Sequence, residues 1–374
     1  MLSAIAQATY DLHDAAQCAA LFSGNGTRWL LKPRLTGHAG QGIEIVASAA
    51  AWRAMRAKYH RCPKRNEFGF MAQEYIDPYL VDGRKFDFRV YFLIASADPV
   101  TVFFNYGNLR LALQKYGSKS RAAHLTNYHQ QLSIIKQIDS RPGAKARQVN
   151  RALKPYRWFA EHLWRDGVCR SNVFGHAGEF APSAKPTRAP RKQKQKQKKK
   201  QRKTGSPTAA PTLPPLASLP PCAFEEQFAD HVRTVAHATR LMGLPRVAPR
   251  APGTLGRWPN VRRVGAVSVM GIDFILGSDL KLHFIEFNEQ PGLDGHGLLW
   301  KGRMSVDLWV GAMRLARVLH ERPGSFEMAQ GDRYWAPGVG RDNWWELVVN
   351  EQQEACVEAA GGAPFNPCSR QEVS

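Results

Sequence analysis

The sequence is poor in cysteine, short of acidic residues, and without any long apolar run. Its six cysteines (Cys18, Cys62, Cys169, Cys222, Cys356 and Cys368) form no CxxC pair and no zinc-ligand spacing. Such sparse use in 374 residues fits a reducing compartment, and no disulfide framework is expected. No stretch reaches the roughly 18 apolar residues of a membrane-spanning helix. The N-terminus (Met-Leu-Ser-Ala-Ile-Ala-Gln) lacks the basic-then-apolar order of a secretory signal. The chain therefore reads as soluble and intracellular, with no membrane partner. Acidic residues number 31 against 52 Lys and Arg, a net charge of +21. That excess calls for an acidic partner such as nucleic acid, a nucleotide or an acidic protein tail. Hydrophobic residues at 44% and aromatics at 10% exclude wholesale disorder.

The charge is unevenly spread. Eleven of the basic residues fall between Lys185 and Lys203 with no acidic residue among them, inside a stretch of Pro, Ala, Ser, Thr, Lys and Gln. Such a segment cannot bury enough apolar surface to offset its ordering entropy. Residues 181–222 are accordingly read as a disordered basic linker. Nuclear targeting or polyanion binding by residues 191–203 competes with that blander reading, and nucleic acid is the weaker partner because the tract lacks aromatics to stack on bases.

Short strand-like runs occupy Arg28 to Leu113, broken by a helical stretch from about Ala49 to His60, a mixture that argues α/β or α+β. A helix is expected over Gln148 to Arg165, from the spacing of Leu153, Tyr156, Phe159 and Leu163. Further helices are expected over Phe224 to Met242 and Ser305 to His320. A hairpin is expected over Val267 to Asn288, turning at Ser278-Asp279. The last 50 or so residues read as a poorly ordered tail.

Chemistry gathers in three places. In Asp82-Gly-Arg-Lys-Phe-Asp-Phe-Arg-Val-Tyr91, strand alternation puts Lys85, Asp87 and Arg89 on one face and Phe86, Phe88 and Val90 on the other. On the hairpin, Asp273 is expected opposite Phe284, sharing a face with Glu286 and Asn288. Two carboxylates and an amide oxygen form a hard-oxygen set suited to Mg2+. Finally, Lys32 precedes the Gly-rich Thr36-Gly-His-Ala-Gly-Gln-Gly-Ile43, whose backbone N–H groups could fold over phosphates. Together these outline a nucleotide site of the ATP-grasp kind.

The motifs Trp29-Leu-Leu-Lys-Pro33, Gly40-Gln-Gly-Ile43, Gln73-Glu-Tyr-Ile76, Asp82 to Tyr91, His124-Leu-Thr-Asn-Tyr128, Gly271-Ile-Asp273 and Ile285-Glu-Phe-Asn288 resemble, in order and in several spacings, those of the tubulin tyrosine ligase-like family. The resemblance implies an α+β ATP-grasp fold and ATP- and Mg2+-dependent ligation of a free amino acid to tubulin or another acidic protein tail. It assigns Lys32, Gly40, Gly42, Gln73, Tyr75, Ile76, Lys85 and Asp87 to ATP, and Asp273, Glu286 and Asn288 to the metal. Arg89, Arg110, Thr126 and Asn127 would face the carboxylate substrate, with Arg89, Arg110, Lys85 and Glu286 as the catalytic set. Residues 1–76 would be a remnant of the central subdomain, 77–180 and 223–325 the C-terminal subdomain, and 326–374 a tail. Only 31 residues precede Lys32, so the chain is expected to lack the family's N-terminal domain. A cytoplasmic, cytoskeletal or ciliary location follows from the resemblance. An inactive member that binds microtubules or other polyanions through its basic surface is the alternative.

Overall fold

The computed structural model describes residues 5–23, 28–33, 40–59, 62, 69–97, 100–117, 120–131, 144–173, 215–241, 267–288, 291–293, 298–321 and 328–350, with short gaps inside some ranges. The Lys-rich tract lies outside the described residues, as do Cys356 and Cys368. In chain order the strands are β1 (Thr9–Asp11), β2 (Trp29–Pro33), β3 (Glu44–Val46), β4 (Phe70–Glu74), β5 (Leu80–Val81), β6 (Arg84–Ala97), β7 (Val100–Leu111), β8 (Leu153–Pro155), β9 (Ser268–Leu276), β10 (Leu282–Asn288), β11 (Arg333–Tyr334) and β12 (Trp345–Asn350). The helices are α1 (Ala15–Ser23), α2 (Ala49–Tyr59), α3 (Ala144–Ala152), α4 (Tyr156–Arg165), α5 (Ala223–Leu241) and α6 (Leu299–Glu321).

The strands form two sheets, a four-stranded one in the order β1-β4-β2-β3 and an eight-stranded one running β10-β9-β6-β7-β12-β11, with β5 on β6 and β8 on β7. Segments flanking the smaller sheet tie to the larger one at two points: Phe284 N–H donates to Ile5 O at 2.8 Å and Tyr79 N–H to Leu276 O at 2.9 Å. The smaller sheet packs on α1 and α2 through Leu21, Trp29, Leu31 and Met55.

Strand β6 decides the layering. Phe86, Phe88, Val90 and Phe92 point into a core shared with Phe159 of α4 and Phe224 and Phe228 of α5, each buried Phe contributing about 1.5–3 kcal/mol. On the other face, Tyr91 and Leu93 pack under Met304, Leu308 and Leu315 of α6. Helix α6 covers that face from Tyr91 onward, and the buried Lys85, Asp87 and Arg89 at the β6 start lie at the edge of this layer.

Four expectations change. The helix expected over 148–165 is divided into α3, β8 and α4, because Pro155 has no N–H and disfavours helical backbone at Lys154. Helix α6 starts at Leu299 rather than Ser305; the Ser305 hydroxyl bonds back to Lys301 O at 2.9 Å and is no cap. The expected C-terminal tail contains β12, which pairs with β7 and buries Trp345 completely. Against the expectation of no disulfides, Cys18 pairs with Cys62 and Cys169 with Cys222, at Cα separations of 5.8 and 5.1 Å. The second bond is hidden in the sequence because the Lys-rich tract separates partners that α4 and α5 bring together on one core.

The ladder between β6 and β7 slips by one residue between Arg89 and Tyr91. Gly107 is the extra residue, at φ +61°, and a Cβ there would overlap the Arg89 carbonyl oxygen. The Asn105 carboxamide oxygen accepts from Gly107 N–H at 2.7 Å and closes this β-bulge. Gly107→Ala is therefore expected to cost about 2–3 kcal/mol in urea unfolding, with the denaturant slope unchanged.

Candidate active site

Every residue assigned to the cleft from the sequence falls within the described residues, while Thr36 to Ala39 of the Gly-rich stretch lie outside them. On the inner face of the large sheet, Asp273 (β9) and Arg110 (β7) flank β6, pairing with Arg89 and Asp87 respectively. The hairpin register differs from expectation: Asp273 stands opposite Glu286, not Phe284, because the hairpin closes with Leu276 opposite Leu282, one residue off the expected register, and a bulge between Phe284 and Glu286 adds a second. The shift puts the two carboxylates side by side, with Asn288 opposite Gly271.

Asp273 is fully buried and held by two guanidiniums. Arg89 forks it through Nε and Nη2, the latter at 2.9 Å, and Arg110 Nη2 adds a bond at 2.7 Å. Arg110 Nε also reaches Asp87 at 2.5 Å, and the Thr126 hydroxyl donates to the second Asp87 oxygen. Burial alone would raise the Asp273 carboxyl, but Arg110 and Arg89 outweigh it and bring it down to about 2. Glu286 moves the other way, pushed up by burial and by the negative charge of Asp273. That like-charge contact, with Asn288 alongside, suits a divalent cation. Among the described residues no group of three or more His, Cys, Asp and Glu is placed to hold a metal ion, in this cleft or elsewhere.

The cations complete the cleft. Lys32 on β2 feels Glu286, Asp273 and Asp87, though burial lowers it overall. Lys85 is buried beside Asp87, Lys32 and Arg28, and burial brings it down to about 8. Its ammonium lies 4.6 Å from the centre of the Tyr75 ring. Gln73 Nε2 reaches the Ile285 carbonyl at 3.5 Å, spanning the two sheets; Ile76 is half-buried just past β4. Gly40 and Gly42 have positive φ, and Gly40 lies against Asn127 while its carbonyl accepts from Arg121 at 3.3 Å.

Residues not singled out from the sequence join them. Arg28 stacks 4.7 Å over Tyr75 and donates to the Tyr116 hydroxyl at 2.7 Å, and it pairs with Asp77. The Tyr75 hydroxyl bonds His124 Nδ1 at 2.7 Å. His124 opened one of the recognised motifs and was legible; Arg28 preceded its strand and gave no signal.

Two sheets closing on a cleft of lysines, carboxylates and arginines define an α+β, ATP-grasp-like fold. The tubulin-tyrosine ligase family model matches residues 5–165, so the resemblance read from the motifs is borne out. The chain is 32% identical over 154 residues to the inactive polyglycylase TTLL10 of Homo sapiens, covering 37% of this chain and 23% of that protein. It is 35% identical over 133 residues to the protein polyglycylase TTLL10 of Rattus norvegicus, 32% of this chain and 19% of that one. To the tubulin monoglutamylase TTLL4 of Homo sapiens it is 28% identical over 149 residues, 38% of this chain and 11% of that one. The chain thus spans under a quarter of the length of each of these relatives. Asp273, Glu286 and Asn288 lie beyond the matched stretch and join it through the β6–β9 ladder.

The Lys85 shift has a pH consequence. Between about pH 8 and 10.5 the unfolded chain keeps the Lys85 proton that the folded chain releases, so this residue makes stability rise with pH across that window. Nucleotide phosphate binding moves oppositely: the Kd for ADP, measured by calorimetry, is expected to rise above pH 8 by up to about tenfold per unit. Lys85→Met, neutral throughout, should bind weakly and flatten that profile.

Proposed function

We propose that this protein is an ATP- and Mg2+-dependent ligase that adds an amino acid, glutamate foremost, to tubulin or a similar acidic protein tail through an acyl phosphate. The observation that carries the reading is the side-by-side placement of Asp273 and Glu286 within reach of Arg89, Arg110 and Lys32. In the reaction, an acceptor carboxylate oxygen attacks the γ-phosphorus and ADP departs. The amino group of the incoming amino acid then attacks the acyl carbon; phosphate leaves with the electron pair and the amine loses a proton.

The chain's own groups divide the work. Lys32 and Lys85 hold phosphate oxygens, Gly40 and Gly42 turn backbone toward them, and Asp87 holds Arg110 in place. Gln73, Tyr75 and Ile76 line the base pocket. Asp273, Glu286 and Asn288 would hold Mg2+, which supplies charge neutralisation at the transferring phosphoryl group. Arg89 and Arg110 offer planar forks to the carboxylate and phosphoryl oxygens, beside Thr126 and Asn127. The excess of positive charge favours an acidic acceptor. Relatives named as polyglycylases and as a monoglutamylase support glycine and glutamate as the amino acids to try first. The reading goes with work in the cytoplasm, on the cytoskeleton or in a cilium.

A second reading, a silent relative that binds microtubules or other polyanions, has two supports. Asp273 is already occupied by two guanidiniums, and one similar protein is named inactive. Incorporation of labelled glutamate, glycine and tyrosine into tubulin with Mg-ATP separates the two. One amino acid is expected to be incorporated, with Glu286→Gln lowering the rate by about 100-fold or more. Microtubule binding that is steeply salt-dependent and survives Glu286→Gln, without incorporation, would sink the ligase reading.

A further inference from the structure

Lys301 is a buried cation that the cleft described above does not use. It stands in the first turn of α6 and is 2% exposed. Its Nζ donates to the Tyr91 hydroxyl at 3.0 Å, to Asn108 Oδ1 at 3.4 Å and to the Gly292 carbonyl at 3.5 Å. The Tyr91 hydroxyl in turn donates to Asn108 Oδ1 at 3.1 Å, which leaves its lone pairs to the ammonium and fixes the direction of the network. All three acceptors are neutral. Packing alone does not account for lysine here, because an apolar side chain of similar length would fill the space without the cost of desolvating a charge.

The three contacts have one thing in common, their nearness to Arg89. Asn108 is the ladder partner of Arg89, and Tyr91 follows it on the same face of β6. Gly292 follows Pro291, whose carbonyl accepts from Arg89 Nη1 at 2.8 Å. Two cations thus hold consecutive carbonyls of one segment. Gly271 makes room for this: a Cβ there would lie 2.9 Å from Arg89 Cδ and 3.1 Å from Pro291 Cβ. The Arg89 stem therefore runs through a slot between β9 and residue 291.

We propose that Lys301 is a positioning residue. By pinning residues 291–292 and the Tyr91–Asn108 pair, it fixes the direction in which the Arg89 guanidinium meets the transferring phosphoryl group. The inference rests on the ligase reading for what Arg89 faces.

The test compares Mg-ADP with the non-hydrolysable Mg-AMP-PNP by calorimetry on the full chain, since only the latter offers a γ-phosphate. Lys301→Met is expected to weaken AMP-PNP by about tenfold while ADP stays within about twofold. In an Arg89→Lys background the same change should add less than about twofold, as expected of coupled residues. Tyr91→Phe, which removes one acceptor and keeps the packing, should reproduce the selective loss in smaller measure if Lys301→Met fails to fold. Equal weakening of both nucleotides, no change in either, or additive effects in the double variant would overturn the proposal alone. A wild-type chain that binds neither nucleotide would overturn the ligase reading and this inference with it.

Discussion

A single buried carboxylate, Asp273, receives guanidiniums from two different strands, and the central sheet is organised around that meeting. Arg89 comes from β6 and Arg110 from β7, while Asp273 itself belongs to β9, so three strands are locked in one register by charge. Such a cluster is stable only as a set: each ion has been taken out of water, and removing one partner leaves its neighbour buried without compensation. A slip of one residue along β9 would carry Asp273 to the opposite, apolar face. The same bonds that assemble a charged cleft therefore also enforce strand pairing.

Strand β6 explains why the cleft lies where it does. Its outer face feeds the Phe-rich core beneath α4 and α5, and its inner face changes character along its length, from ionic at Asp87 and Arg89 to apolar at Tyr91 and Leu93 under α6. The polar groups stand at the edge of a packed layer. Their side chains are held by close-packed neighbours, a rigidity that loops alone would not supply.

Much of this was legible in the sequence, for reasons of period and composition. Alternation in Lys85 to Val90 named both faces correctly, because a two-residue period survives in any strand. Bulges were not legible: the extra Gly107 and the shift before Glu286 depend on which neighbour each strand meets. Lys301 was missed because Ser305 resembled a helix start, which left the buried lysine in what read as a loop. Strand β12 was missed because Trp345 to Asn350 is stable only as an added strand on β7, a long-range pairing no local pattern announces.

The bond between Cys169 and Cys222 has a topological effect beyond holding α4 near α5. It closes a covalent ring across a sequence separation of 53, within which the whole Lys-rich tract is contained. A protease that cuts inside the ring nicks the polypeptide without severing it. The cleft arginines upstream and the acidic hairpin downstream remain parts of one covalent molecule, and part company only when unfolding is combined with a reductant.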